Sequence, residues 1–118
     1  MTGRDITKES FENCGFFHTL SLISGKYKMP ALYTLANFGT VRFNEMKRYI
    51  GSVSFKTLSL TLKGLEADGL VYRKEYSQIP PKVEYSLTES GKALIPVLDR
   101  MCEWGDEAVA RQRPIHHE

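Results

Sequence analysis

The run from Ser54 to Leu87 constrains this chain more than any other segment. Phe55, Leu58, Leu62 and Leu65 recur at spacings of three, four and three, which marks one buried face of an α-helix. Ser54 stands where an N-cap is wanted and Gly69 where a helix stops. The period then changes. Leu70–Tyr76 is rich in β-formers, and Val83–Leu87 alternates apolar and polar residues. Between them, Pro80 and Pro81 cannot continue a ladder. A helix feeding a hairpin exposes apolar surface on both, so other elements must cover it.

Those elements lie upstream. From an N-cap at Asn13 to a stop at Gly25, Phe16, Phe17, Leu20 and Ile23 predict a first helix. A second is expected from Lys28 to Asn37, with Pro30 in its first turn and Leu32, Leu35 and Ala36 inward. A third is expected from Phe43 to Ile50. The turn Gly51-Ser52-Val53 then leads into the Ser54 helix. A short strand near Thr40–Arg42 completes a small sheet, and Thr88 caps a last helix from Glu89 to Arg111. Two short helices joined by a tight turn and followed by a hairpin define a winged helix-turn-helix. The expected class is α+β, mostly helical, with N- and C-terminal dimerisation helices. Residues 1–12 are read as a flexible arm, 13–112 as the winged domain and 113–118 as a tail.

At 118 residues the chain is one domain. Its longest charge-free stretches, Asn13–Gly25 and Met29–Val41, have 13 residues each, short of the roughly 18 that cross a bilayer. The polar start shows no signal peptide. Two cysteines make no disulfide framework, so a reducing cytoplasm is expected. No phosphate loop, carboxylate pair or metal-ligand spacing is present. Cys14 with His18 lacks an orienting third group, and His116-His117 is a tail pair. The chain is read as a non-enzyme with no cofactor and no metal site.

The Ser54 helix carries an unusual outer face. Opposite its leucines lie Lys56, Thr57, Leu60 and Gly64, with Lys63 beside them and Thr61 on the flank, and no acid precedes Glu66. Lysine and small hydroxyls suit phosphates and base edges, and a leucine suits a thymine methyl. Gly64 admits close approach of DNA or of another element. Charge follows the same segment. Residues 40–82 hold eight bases and four acids, a net +4, and the remainder sums to −2. Arg42 and Asn44 at the third helix, Ser54 at the cap, and Arg73, Lys74 and Lys82 on the hairpin complete the candidate DNA contacts.

Several fragments together resemble the HxlR-type winged-helix transcription regulators, relatives of the MarR type. They are Ile23-Ser24-Gly25-Lys26-Tyr27-Lys28, Val41-Arg42-Phe43-Asn44-Glu45, Leu62–Val71, Pro80–Thr88, Pro96-Val97-Leu98 and Trp104-Gly105. Tyr27 replaces the tryptophan usual in this family, and Gly15 replaces the proline after the cysteine. The resemblance implies a homodimer on double-stranded promoter DNA, acting as a repressor. Ser54–Asp68 would be its recognition helix and Arg73–Lys82 its wing. It also implies an oxidant or electrophile sensor at Cys14.

With Asn13 as cap, Cys14 falls in the first turn, where the dipole favours an anion. His18 is one turn on, and Phe16 and Phe17 stand ready to bury the sulfur. The last helix is too long for so small a domain to cover. Leu94, Leu98, Met101, Gly105 and Ala108 repeat at four, three, four and three, flanked by Val97, Cys102 and Trp104. These residues, with Phe16 and Phe17, are the expected dimer interface. The alternative is a winged helix that binds protein or RNA.

Overall fold

The structure is a computed structural model and describes residues 14–112. The arm 1–12, the Asn13 cap and the tail 113–118 lie outside the described residues. In chain order the elements are α1 Gly15–Ile23, α2 Lys28–Phe38, β1 Val41–Arg42, α3 Phe43–Ile50, α4 Phe55–Ala67, β2 Val71–Tyr76, β3 Lys82–Leu87 and α5 Glu89–Gln112. This is the winged helix-turn-helix order. No helix among the described residues is long and apolar enough to cross a membrane.

The sheet order is β1-β3-β2, antiparallel throughout. Val41 pairs with Tyr85, and Arg42 with Glu84. Val71 pairs with Leu87, Arg73 with Tyr85, and Lys74 with Glu84. The pleat therefore puts Val41, Val71, Tyr85 and Leu87 on one buried face. Arg42, Glu84 and Lys74 form a charged row on the other.

The core joins Leu32 and Leu35 of α2, Met46 of α3, Leu58, Leu62 and Leu65 of α4, and Leu98 of α5. Ala36 is exposed, against expectation, because α2 turns only its Ala31, Leu32, Thr34 and Leu35 side inward. Phe55 is a second correction. It is 64% exposed, because the first residue of α4 projects beyond the core that its leucines reach. Its ring instead tilts against Phe43 at 4.7 Å.

The α4–β2 junction closes tightly. Asp68 ends the helix, Gly69 turns at φ 77°, and the Leu70 N–H reaches back to the Leu65 carbonyl at 3.0 Å. Thr88 locks α5 onto this turn. Its hydroxyl donates to the Gly69 carbonyl at 2.6 Å and accepts from the Gly91 N–H at 3.0 Å. A second tie joins α2 to α5. The half-buried Tyr33 hydroxyl donates to Asp99 Oδ1 at 2.8 Å and lies 3.8 Å from Cys102 Sγ. Partial burial, then the bond to Asp99, raises the phenol above its ordinary pKa.

Helix α5 continues through Pro96, and at 24 residues it is about 36 Å long. Leu98 is fully buried in the protomer's own core, and Leu94 packs against that core. Leu98 is therefore removed from the expected dimer interface, whereas Leu94 is only half-buried. The face turned away from the domain carries Val97, Met101 and Trp104, with Trp104 68% exposed.

Candidate nucleic-acid interface

Helix α4 presents the polar face its sequence predicts. Its three leucines are buried, while Lys56, Thr57, Leu60 and Lys63 are exposed. A β-carbon placed on Gly64 would meet nothing within 4 Å. Close packing within the chain is therefore not why glycine stands there. Ser54 serves as the cap. Its Oγ accepts from the Thr57 N–H at 3.1 Å and donates to Thr57 Oγ1 at 2.9 Å. The half-buried Thr61 donates its hydroxyl to the Thr57 carbonyl at 2.8 Å. Lys56, Leu60 and Lys63 are the side chains left to reach outward.

The hairpin bases divide between the two faces of the sheet, as period two requires. Arg73 sits on the inner face and lines a cleft of about 310 Å³ with Ser59, Lys63, Glu66 and Tyr85. Its guanidinium bonds Glu75 at 3.1 Å, and contact with the Tyr85 hydroxyl and then Glu75 raises its pKa further. Arg73 thus extends the α4 surface, next to Lys63. Lys74 and Lys82 lie on the outer face, their ammonium groups 4.9 and 4.7 Å from the centre of the Tyr76 ring. Lys82 also pairs with Glu84 at 3.4 Å. The Glu84 carboxyl is held below its usual range by a hydrogen bond from Tyr76, then by the charges of Lys82 and Arg42.

Arg42 and Asn44 meet this wing across a cleft of about 710 Å³ that also takes in Arg48 and Lys82. The Arg42 N–H donates to Glu45 Oε1 at 2.9 Å, and the Arg42 side chain is exposed. The structure thus gathers the predicted bases into two adjoining patches, α4 with Arg73 and α3 with the outer wing. Arg48 and Tyr76 adjoin these patches although neither stands out in the sequence. Arg48 lies six residues after Arg42 in an amphipathic helix, a signal that charge counting alone blurs.

The first helix differs from expectation at its start. Cys14 is itself the N-cap, and its Sγ accepts from the Phe16 N–H at 3.5 Å. The thiol is exposed. Phe16 and Phe17 do not bury it, because they pack edge to face at 5.5 Å and are themselves exposed. His18 is also exposed.

An exposed basic helix after a tight turn, beside a basic hairpin, defines a winged helix-turn-helix protein. The chain belongs to the HxlR-like helix-turn-helix family, whose pattern matches residues 22–113. It is a transcriptional regulator of helix-turn-helix type. An HTH-type transcriptional regulator of Halalkalibacterium halodurans is 56% identical over 97 residues, 82% of this chain and 86% of that one. Among solved structures, the redox regulator HypR in its reduced form is 46% identical with a TM-score of 0.74, covering 80% of this chain and 92% of that one. The reduced form of YodB from B. subtilis is 30% identical with a TM-score of 0.72, covering 88% and 96%.

Proposed function

We propose that the protein is a cytoplasmic homodimer that binds double-stranded promoter DNA in a sequence-specific way and represses by occupancy. The outward face of α4 carries this reading: Lys56, Leu60, Lys63 and an unobstructed Gly64, with no acid before Glu66. Helix α4 enters a major groove, Lys56 and Lys63 hold phosphates, and Leu60 meets a thymine methyl. The α3 cleft and the wing bind the flanking backbone. A second copy covers Val97, Met101, Trp104 and Ala108 of α5 together with Phe16 and Phe17, while Cys102 lies against Tyr33 of its own chain. It thereby places two α4 helices for half-sites about one DNA turn apart. The test is fluorescence anisotropy on duplex DNA from upstream of the protein's own gene. Affinity should fall steeply between about 50 and 200 mM salt. Binding that ignores salt, or that prefers RNA or an acidic protein, sinks the reading.

A redox response through Cys14 is supported by its exposure at the α1 cap and by the likeness to HypR, described as a redox regulator. Hydrogen peroxide transfers one oxygen to the thiol, giving sulfenic acid and water. The oxidised sulfur adjoins Phe16 and Phe17, so the dimer seam is disturbed first. Wild type should lose operator affinity with peroxide or diamide, and Cys14→Ser should not. An equal response in both proteins would assign the signal elsewhere.

A further inference from the structure

Helix α5 leaves the domain at Leu98. That residue is fully buried, and every described α5 residue after it is exposed or half-buried. From Leu98 to Gln112 the helix continues for about 21 Å. Where it departs, Tyr33 reaches across from α2. Its hydroxyl donates to Asp99 Oδ1 at 2.8 Å and lies 3.8 Å from Cys102 Sγ. A hydrogen bond to a carboxylate is short, directional and stronger than a neutral one. Asp99 and Cys102 share one flank of α5. Val97, two residues before Asp99, lies about 200° round the helix and belongs with Trp104 to the exposed seam. Tyr33 therefore grips α5 on the side away from that seam. Helix α2 packs in turn on α3 and α4, the helices that carry the basic surface. A bond from α2 to α5 thus ties the recognition helix to the seam. The length of α5 magnifies any movement here. A tilt of about 10° about Leu98 shifts the far end by about 3.5 Å, one base-pair step.

We propose that the Tyr33 hydroxyl is a positioning group that sets the spacing of the two DNA half-sites, by holding Asp99 and so fixing the angle at which α5 leaves the domain. This rests on the dimeric DNA binding argued above and adds a specificity-determining residue to it. Losing a bond that only stabilises the fold weakens binding to every duplex alike. Losing a bond that fixes this angle widens the range of spacings accepted.

The experiment uses a duplex of roughly three helical turns, selected from a random pool by the wild-type protein. Two further duplexes gain or lose one base pair between the half-sites. Each change moves one half-site by about 3.4 Å and turns it by about 35°. Wild type should bind these two about tenfold more weakly than the selected duplex. Tyr33→Phe and Asp99→Ala should shrink that ratio to about threefold or less. Asp99 is exposed, so its variants leave the core intact. Asp99→Asn keeps an acceptor oxygen and should keep most of the ratio. Tyr33→Phe combined with Asp99→Ala should be no worse than either alone, because both remove the same bond. All variants should sediment as the wild-type dimer. A Tyr33→Phe protein with the full ratio, or one weakened equally on all three duplexes, would overturn the positioning role. Wild type that selects no duplex, or binds as a monomer, would instead overturn dimeric DNA binding, and the spacing role with it.

Discussion

Gly91, in the first turn of α5, lies directly against the backbone carbonyl of Leu70. A β-carbon at position 91 would overlap that oxygen and press on the Leu87 side chain at 3.1 Å. The contact lets Thr88 reach the Gly69 carbonyl, so α5 seats on the turn that leaves the recognition helix. Leu70 is backbone in a strand entry and cannot yield as a side chain would. Gly91→Ala should therefore destabilise the protein by about 1–3 kcal/mol, although alanine is the better helix former by about 1 kcal/mol. Thermal unfolding followed by circular dichroism checks this. An unchanged or raised Tm would show that the turn relaxes freely.

Leu98 and Trp104 lie on one helix and should fail differently. Leu98→Ala opens a cavity in the protomer core and should cost about 2–5 kcal/mol of stability. Trp104→Ala removes an exposed ring from the proposed dimer seam. It should leave a folded protomer and weaken association by at least tenfold. Analytical ultracentrifugation beside urea unfolding separates the two. A Trp104→Ala protein as dimeric as wild type would place the seam elsewhere.

At Gly64 stability and binding should move in opposite directions. Its β-carbon site is open, so Gly64→Ala should stabilise α4 by up to about 1 kcal/mol. The added methyl group faces the proposed DNA surface, and affinity should fall severalfold. A variant with higher Tm and full affinity would show that DNA does not approach this part of the helix.

The carboxyl of Glu84 provides a check on the wing. The Tyr76 hydrogen bond, and then Lys82 and Arg42, hold its folded pKa below the ordinary value. A depressed carboxyl pKa means that its stabilisation is complete above the unfolded pKa and is lost as pH falls through the folded one. In Tyr76→Phe the carboxyl midpoint, followed by NMR, should rise toward the usual range. A midpoint that stays in place would deny the hydrogen bond its leading role.

What the sequence determined by itself is local in origin. The leucine spacing in α4, the Ser54 cap, the Gly69 stop and the double proline each act within a few residues, so the helix, its outer face and the hairpin could be read directly. Strand periodicity even separates Arg73 from Lys74. The tertiary structure alone decided which stripe of α5 is core. Leu94 and Leu98 adjoin Val97, Met101 and Trp104 on the wheel, and either stripe satisfies helical periodicity. Only the positions of α2 and the sheet turn Leu98 inward and leave Trp104 outside. The same is true of Gly91, whose need for a missing β-carbon comes from Leu70, 21 positions earlier in the chain. Phe55 reads as core by spacing and is exposed because the core ends before it. Periodicity reports which residues share a face, but burial depends on what the rest of the chain brings against that face.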